Sequence, residues 1–356
     1  VVIIAPKDNF TASLIAEGID YYHINMNNYG TNPVGELQLY LQLVALYRKI
    51  KPDMIFHYTI KPNIYGTFAA SWCGIPSIII TTGLGHLFEF KNFLVRWITL
   101  ILYKYACRLS REVWFLNTND LDVFTYKGIS SREKSILVRS EGIDLNWFAP
   151  GPDKLVNEPI RFLFAGRLLR DKGVEEFAVA AAIMKRRFED LEFQILGFVD
   201  ETNPNSISYR RIIEWQQKGF VSYLGETTDV RPYMAACSCL VFPSYYREGV
   251  SRILMEAAAM ETPIITADNV GCREVVDDGI NGFICKPRDV QSLVKAMERF
   301  LKTDAADRIY MGKMGRKKMI REFDEKLVFE SYDRILYKKI KEDVSILPEK
   351  KVVNQA

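Results

Sequence analysis

The chain has 356 residues, 48% of them hydrophobic and 26% charged, with a formal net charge of +3 at pH 7. These are globular proportions, which exclude wholesale disorder, and the length favours two domains over one. The charge is too small for the strongly basic face of a nucleic-acid-binding protein, so no nucleic-acid partner is expected.

Strand-like apolar runs alternate with helical stretches from the first residue. Val1–Ala5 reads as a strand. Leu37–Ile50 has helical periodicity and stops before Lys51-Pro52-Asp53. Met54–His57 is a short strand, Ser77–Thr81 a buried one, and Val113–Leu116 another, followed by a helix from Asp120. Such alternation builds a parallel sheet flanked by helices. Between the last two strands, Lys91–Arg111 carries Lys91, Arg96, Lys104, Arg108 and Arg111 and no acidic residue. Phe93, Trp97, Leu100, Ile101 and Tyr105 recur there at helical spacing. Its most apolar part, Phe93–Ala106, is too short and too charged to span a bilayer. The pattern fits a helix packed on the sheet or one lying on an anionic membrane surface.

Ala149-Pro150-Gly151-Pro152-Asp153 is a breaker cluster, after which the alternation restarts. Ile160–Ala165 is a strand, Val174–Phe188 a helix, Glu192–Leu196 a strand and Tyr209–Lys218 a helix. Strands follow at Val221–Leu224, Leu240–Phe242 and Pro263–Thr266, with the helix Ser251–Met260 between the last two. The fold class is therefore α/β, with two Rossmann-like doubly wound domains, 1–150 and 151–324, facing across a cleft. Within 325–356, Glu325–Lys341 reads as a helix able to pack back on the first domain.

The six cysteines, Cys73, Cys107, Cys237, Cys239, Cys272 and Cys285, form no C-x-x-C pair, and there are three histidines. A zinc site is not expected, and buried thiols in a reducing compartment are. Asp120-Leu121-Asp122 opens a helix after Asn117-Thr118-Asn119, where acidic residues complement the helix dipole, so capping is preferred to metal binding. His57, at the end of a strand, is read equally as structural or cleft-facing. Asp277-Asp278-Gly279-Ile280-Asn281-Gly282 reads as a connector turn.

Two segments carry the chemistry. In Phe242–Ala257 a strand ends at Pro243, a loop brings Arg247, Glu248 and Gly249, and a helix starts near Ser251. A helix start offers unpaired N–H groups and a positive dipole end, which suit a diphosphate. Gly249 admits close backbone approach. Glu248 can accept sugar hydroxyls and Glu256 can reach a ribose diol, although Ser251 also suits an ordinary cap. In Phe164–Gly173, Gly166-Arg167 follows a strand, and Arg167 and Lys172 can neutralise two phosphates.

These motifs resemble glycosyltransferase family 4. The resemblance rests on Gly-Arg-x-x-x-x-Lys-Gly, Glu-Gly-Val-Ser-Arg-Ile-Leu-Met-Glu-Ala, Pro-Ile-Ile-Thr-Ala and Gly-Cys-Arg-Glu-Val-Val-Asp-Asp-Gly-Ile-Asn-Gly-Phe. Thr59–Gly66 and Thr82-Gly83-Leu84-Gly85 extend it into the first half, in the manner of the subgroup that builds bacterial capsule, O-antigen and lipid-linked glycans. The resemblance implies the GT-B fold and transfer with retention from a nucleotide sugar, UDP-linked; no metal is expected, because Arg167, Lys172 and a helix dipole already offset the leaving charge. It assigns Arg167 and Lys172 to the diphosphate, Glu248 to the transferred sugar and Glu256 to the ribose. Gly166 and the backbone of Gly249, Val250 and Ser251 complete the donor site, with Arg247 assisting. Many relatives carry Leu-Pro where this chain has Val250-Ser251. Many also carry a histidine near Thr82-Gly83, where this chain has His86 three residues on, so Gly83, Gly85, His86 and His57 stand as cleft candidates.

The resemblance further implies a glycan acceptor on a polyprenyl-diphosphate carrier and peripheral contact with the cytoplasmic membrane face. Relatives begin with a β–α unit ahead of the strand that here is Val1–Ala5, so a missing first unit is expected. A nucleotide-sugar epimerase of GT-B fold is the alternative, which fold alone does not exclude.

Overall fold

The computed structural model describes residues 1–8, 10–27, 32–84, 93–151, 159–200 and 203–346, with side chains to Tyr337. The chain divides into two units, one of Val1–Leu137 with Arg247–Gly249, the other of Val138–Tyr246 with Val250–Ala356.

The first unit starts with β1 (Val2–Ala5), α1 (Thr11–Ala16), β2 (Asp20–His23), α2 (Pro33–Ile50) and β3 (Ile55–Tyr58). A wide π-turn, Pro62–Gly66, leads into α3 (Thr67–Trp72). There follow β4 (Ser77–Thr81), α4 (Phe93–Leu109), β5 (Glu112–Phe115), α5 (Thr118–Tyr126) and β6 (Ser135–Leu137). Every strand pairing is parallel, in two separate sheets, β1-β2 and β3-β4-β5-β6. The run Ser-Ile-Ile-Ile-Thr of β4 is buried at every position, as a strand covered on both faces requires. Asn32 begins α2, its side chain accepting from the Val34 N–H at 3.1 Å, with Pro33 at the first helical position where no N–H is missed. Leu39, Leu43, Val44 and Tyr47 of α2 pack with Ala69 and Ala70 of α3 and with Ile4 and Ile55 from the two sheets. A second cluster joins Ile79, Val113 and Phe115 to Tyr103, Leu121 and Phe124.

The second unit contains β7 (Ile160–Ala165), α6 (Val174–Lys185), β8 (Leu191–Leu196), α7 (Tyr209–Gln217), β9 (Ser222–Tyr223), α8 (Arg231–Ala236) and β10 (Cys239–Phe242). It continues with α9 (Arg252–Ala259), β11 (Ile264–Ala267), β12 (Gly282–Cys285), α10 (Val290–Lys302), α11 (Ala305–Glu322) and α12 (Glu325–Ile346). The connector Asp277–Gly282 feeds β12, a strand that its composition concealed. Six parallel strands run β9-β8-β7-β10-β11-β12. Numbered within the unit this is the order 3-2-1-4-5-6 of a dinucleotide-binding sheet. Phe162, Phe164, Phe177, Phe193 and Phe300 fill its core.

Candidate functional site

In the second unit the chain runs from β7 outward to β9, then returns to place β10 against the other edge of β7, pairing Cys239 with Phe162 and Leu240 with Leu163. At such a reversal the connections leave in opposite directions and open a crevice at the carboxyl ends of the strands. The loop after β7 carries Gly166, Arg167 and Lys172. The loop after β10 carries Pro243–Ser251.

The two loops are stitched together. The turn Arg170–Lys172 ends at Gly173, whose φ is 82°, and a Cβ there would lie 2.4 Å from the Pro243 carbonyl oxygen. Only glycine fits that combination of backbone angle and contact. The Asp171 carbonyl accepts the N–H groups of Tyr245 at 2.9 Å and Tyr246 at 3.0 Å. Lys172, 7% exposed, holds its Nζ 4.7 Å from the Tyr246 ring centre and 5.8 Å from that of Phe242, a cation seated over aromatic faces. Gly166 leaves β7 at φ 145°, and Arg167 beside it is exposed.

Ser251 stands at the cap position of α9 with an extended backbone, and its N–H donates to the Gly271 carbonyl at 2.9 Å. Its hydroxyl makes no cap hydrogen bond; the oxygen is buried with no partner among the described residues. The ordinary-cap reading of Ser251 is thereby replaced by an orphan polar group at a helix amino end, beside half-buried Val250. Glu256, on α9, is ion-paired with Arg252 at 3.0 Å. Burial raises its pKa and Arg252 opposes the rise.

Arg247, Glu248 and Gly249 belong to the first unit. The Arg247 guanidinium donates to Asp120 Oδ1 from Nη2 at 2.8 Å and Nε at 3.1 Å, and also reaches Asn119. Asp120 is 0% exposed. Burial raises its pKa, while hydrogen bonds from Arg247 and Asn117 pull the other way. Asn117 accepts the Asp120 N–H at 2.8 Å, so it, rather than an aspartate, caps α5. Its Nδ2 lies 3.0 Å from Asp120 Oδ2 and 2.9 Å from the Gly249 carbonyl, to both of which it can donate. A Cβ on Gly249 would meet the Thr82 carbonyl oxygen at 2.6 Å, and one on Gly83 would meet the Gly249 nitrogen at 2.7 Å. The tripeptide is thus seated on the ends of β4 and β5, with Glu248 half-buried.

The Asp-x-Asp splits: Asp120 faces Arg247, and Asp122 has a 72% exposed side chain with Arg132 at 3.9 Å. Among the described residues no group of three or more His, Cys, Asp or Glu is placed to hold a metal ion. The six cysteines form no disulfide, and all but Cys73 are buried.

His57 is interior. Its Nε2 is 2.9 Å from the Tyr47 hydroxyl and its Nδ1 3.2 Å from the Thr67 hydroxyl, and burial lowers its pKa to about 3. Gly85 and His86 lie outside the described residues. In the segment Thr59–Gly66, Asn63 donates to the Ile80 carbonyl at 3.0 Å and the Tyr103 hydroxyl at 2.7 Å, tying the π-turn to β4 and α4.

On α4, Phe93, Leu94, Trp97, Ile98, Tyr105 and Leu109 are exposed, Leu100 and Ile101 are half-buried, and Tyr103, Ala106 and Cys107 face the core. No helix among the described residues is long and apolar enough to cross a membrane.

Comparison with known proteins follows the same division. Residues 159–303 match the family described as Glycosyl transferases group 1, and residues 1–117 match Glycosyl transferase 4-like. The chain is 27% identical to the N,N'-diacetylbacillosaminyl-diphospho-undecaprenol alpha-1,3-N-acetylgalactosaminyltransferase of Campylobacter jejuni, over 96% of this chain and 92% of that protein. It is 26% identical to the UDP-Gal:alpha-D-GlcNAc-diphosphoundecaprenol alpha-1,3-galactosyltransferase of Escherichia coli, over 82% of this chain and 76% of that protein. Among solved structures it resembles Anabaena Alr3699/HepE in complex with UDP, with a TM-score of 0.77 at 18% identity over 95% of this chain and 92% of that one. The fold is GT-B.

Proposed function

We propose that this chain, which belongs to the family 4 glycosyltransferases, moves a hexose or N-acetylhexosamine from a UDP-sugar, with retention, onto a polyprenyl-diphosphate-linked glycan in bacterial surface polysaccharide synthesis. The observation that carries the donor half is the reversal of strand order between β7 and β10, with a buried lysine on one loop and an orphan serine hydroxyl at the helix start after the other. Lys172 and Arg167 offset the charge that grows on the leaving diphosphate. The Ser251 hydroxyl and the amino end of α9 take a phosphate oxygen, and the family resemblance assigns the backbone of Gly166, Gly249 and Val250 to the same donor. Glu248 holds hydroxyls of the transferred sugar, and Glu256 the ribose. UDP is the nucleotide in the solved neighbour and in the name of the E. coli relative.

In the reaction, the acceptor hydroxyl forms the new bond to the anomeric carbon on the face from which the diphosphate departs. The bond from that carbon to the diphosphate oxygen breaks, and the acceptor proton passes to the departing diphosphate. The chain's contribution is positioning and charge stabilisation. Two cations and a helix dipole supply that charge, so turnover is expected to survive chelation by EDTA.

The exposed aromatic stripe of α4, with Arg96, Lys104 and Arg108 on the same helix, supports lying on the cytoplasmic face of the membrane, where a lipid-linked acceptor sits. The names of both relatives specify diphospho-undecaprenol acceptors.

The test is a panel of nucleotide sugars incubated with the chain and a polyprenyl-diphosphate-glycan extract. Acceptor-dependent release of UDP and an axially linked product are expected, with both lost in Lys172→Met. A donor epimerised without acceptor would replace the reading with that of an isomerase.

A further inference from the structure

We propose that a cavity in the first unit, at the amino end of α2, binds a neutral saccharide. This rests on the transferase reading only in naming that saccharide as part of the acceptor glycan. The cavity measures about 460 Å³, within the ordinary range of small-ligand sites. It lies past the carboxyl end of β2, from which Asn25 and Asn27 enter it, and past the carboxyl end of β3, from which Lys61 enters it. Parallel sheets bind ligands at that end of their strands.

The lining specifies the ligand class. Asn25, Asn27, Asn32, Gln38 and Gln42 surround the space with carboxamides. The oxygens of Asn25, Asn32 and Gln42 are engaged by His23 Nε2, the Val34 N–H and the Asn25 N–H, which fixes these side chains and leaves amide N–H donors for sugar hydroxyls, themselves donors and acceptors. Glu36 and Lys61 are the charged groups of the lining and pair with each other, so their charges cancel. A diphosphate or a carboxylate would find no net positive field there. The second carboxylate oxygen of Glu36 is buried with no hydrogen-bond partner among the described residues. It is an acceptor that a ligand hydroxyl can satisfy. Met26 and Leu39 add the apolar wall on which the C–H face of a sugar ring rests. None of these residues belongs to the donor motifs, and the family motif that contains Lys61 gains a purpose beyond the fold.

Gly35 provides a variant that blocks the cavity without disturbing the fold. It lines the space, and a Cβ built on it meets nothing within 4 Å. Gly35→Tyr therefore fills the cavity while improving helix propensity. The experiment uses the full chain and saturation-transfer NMR with three probes, the methyl glycosides of galactose, N-acetylgalactosamine and N-acetylglucosamine, with glucose 1-phosphate as the charged comparator. Binding of UDP is measured alongside by calorimetry. At least one neutral glycoside is expected to bind. Gln42→Ala should weaken it about two- to tenfold, the effect of one neutral hydrogen bond, and Gly35→Tyr should abolish it, with UDP affinity unchanged in both. The proposal is overturned if no neutral glycoside binds, if Gly35→Tyr binds them as wild type does, or if glucose 1-phosphate is preferred. Glycoside binding in a chain that fails to bind UDP would uphold this site and bring down the donor reading instead.

Discussion

Replacing Asp120 by asparagine keeps the side chain's shape and removes its charge from a fully buried position. Two guanidinium N–H groups of Arg247 donate to this carboxylate, at 2.8 and 3.1 Å. A hydrogen bond to a charged group contributes about 1.5–3 kcal/mol and a neutral one about 0.5–1.5. An amide oxygen still accepts, so Asp120→Asn weakens the anchoring of Arg247 by roughly 1–3 kcal/mol. At 1.36 kcal/mol per decade this lowers the equilibrium constant for seating Arg247–Gly249 about five- to 150-fold, and the seated population by up to that factor. Global stability should change less, because the carboxylate's burial, which raises its pKa, is relieved at the same time. Arg247, 25% exposed, can also turn towards water. The assay is kcat/KM for the donor set beside Tm, with Asp122→Asn as the exposed control. A fall of more than about twofold and up to about 150-fold is expected, with Tm within about 4 °C of wild type and the control unaffected. The sign with pH also follows. A carboxyl raised in the fold contributes stability below its ordinary range and loses it as pH climbs through the folded value. Asp120→Asn should therefore lack that part of the decline. Activity within twofold of wild type in Asp120→Asn, together with an active Arg247→Ala, would refute the idea that this pair seats Glu248.

Three further outcomes are expected. His57 is lowered from 6.5 to about 3, so its contribution is full above 6.5 and lost as pH falls, by roughly 2 kcal/mol at pH 5; urea midpoints at pH 7 and 5 should show this loss, and His57→Gln should flatten it. Gly249→Ala places a Cβ 2.6 Å from the Thr82 carbonyl oxygen, and donor turnover should drop at least about tenfold through backbone displacement of the loop proposed to hold the sugar; unchanged turnover would mean the loop is not held by this contact. Anionic liposomes should co-sediment with the chain, less so in high salt and in the triple variant Arg96→Glu, Lys104→Glu, Arg108→Glu; equal sedimentation with neutral liposomes would remove the electrostatic half of the membrane reading.

The alternation of strands and helices was legible because periodicity is a local property of consecutive side chains. β4 and β7 fall where their runs of apolar residues place them. The two segments proposed to hold the donor could be singled out for the same reason, since Gly166–Gly173 and Arg247–Glu256 are each continuous and sit at strand-to-helix passages. β12 was hidden because a Gly-Phe-Ile-Cys run is too short to separate from the turn before it. Whatever depends on partners distant in sequence was not legible. Asp120 and Arg247 are 127 positions apart, and no pattern near either announces the other. Whether His57 faced ligand or interior turned on Tyr47 and Thr67, each ten positions away and on separate helices. The stripe on α4 was visible as apolar, but solvent or core is decided by what the sheet leaves uncovered. The carboxamide cavity draws on segments after two strands and one helix start, and only chain folding brings them to one place.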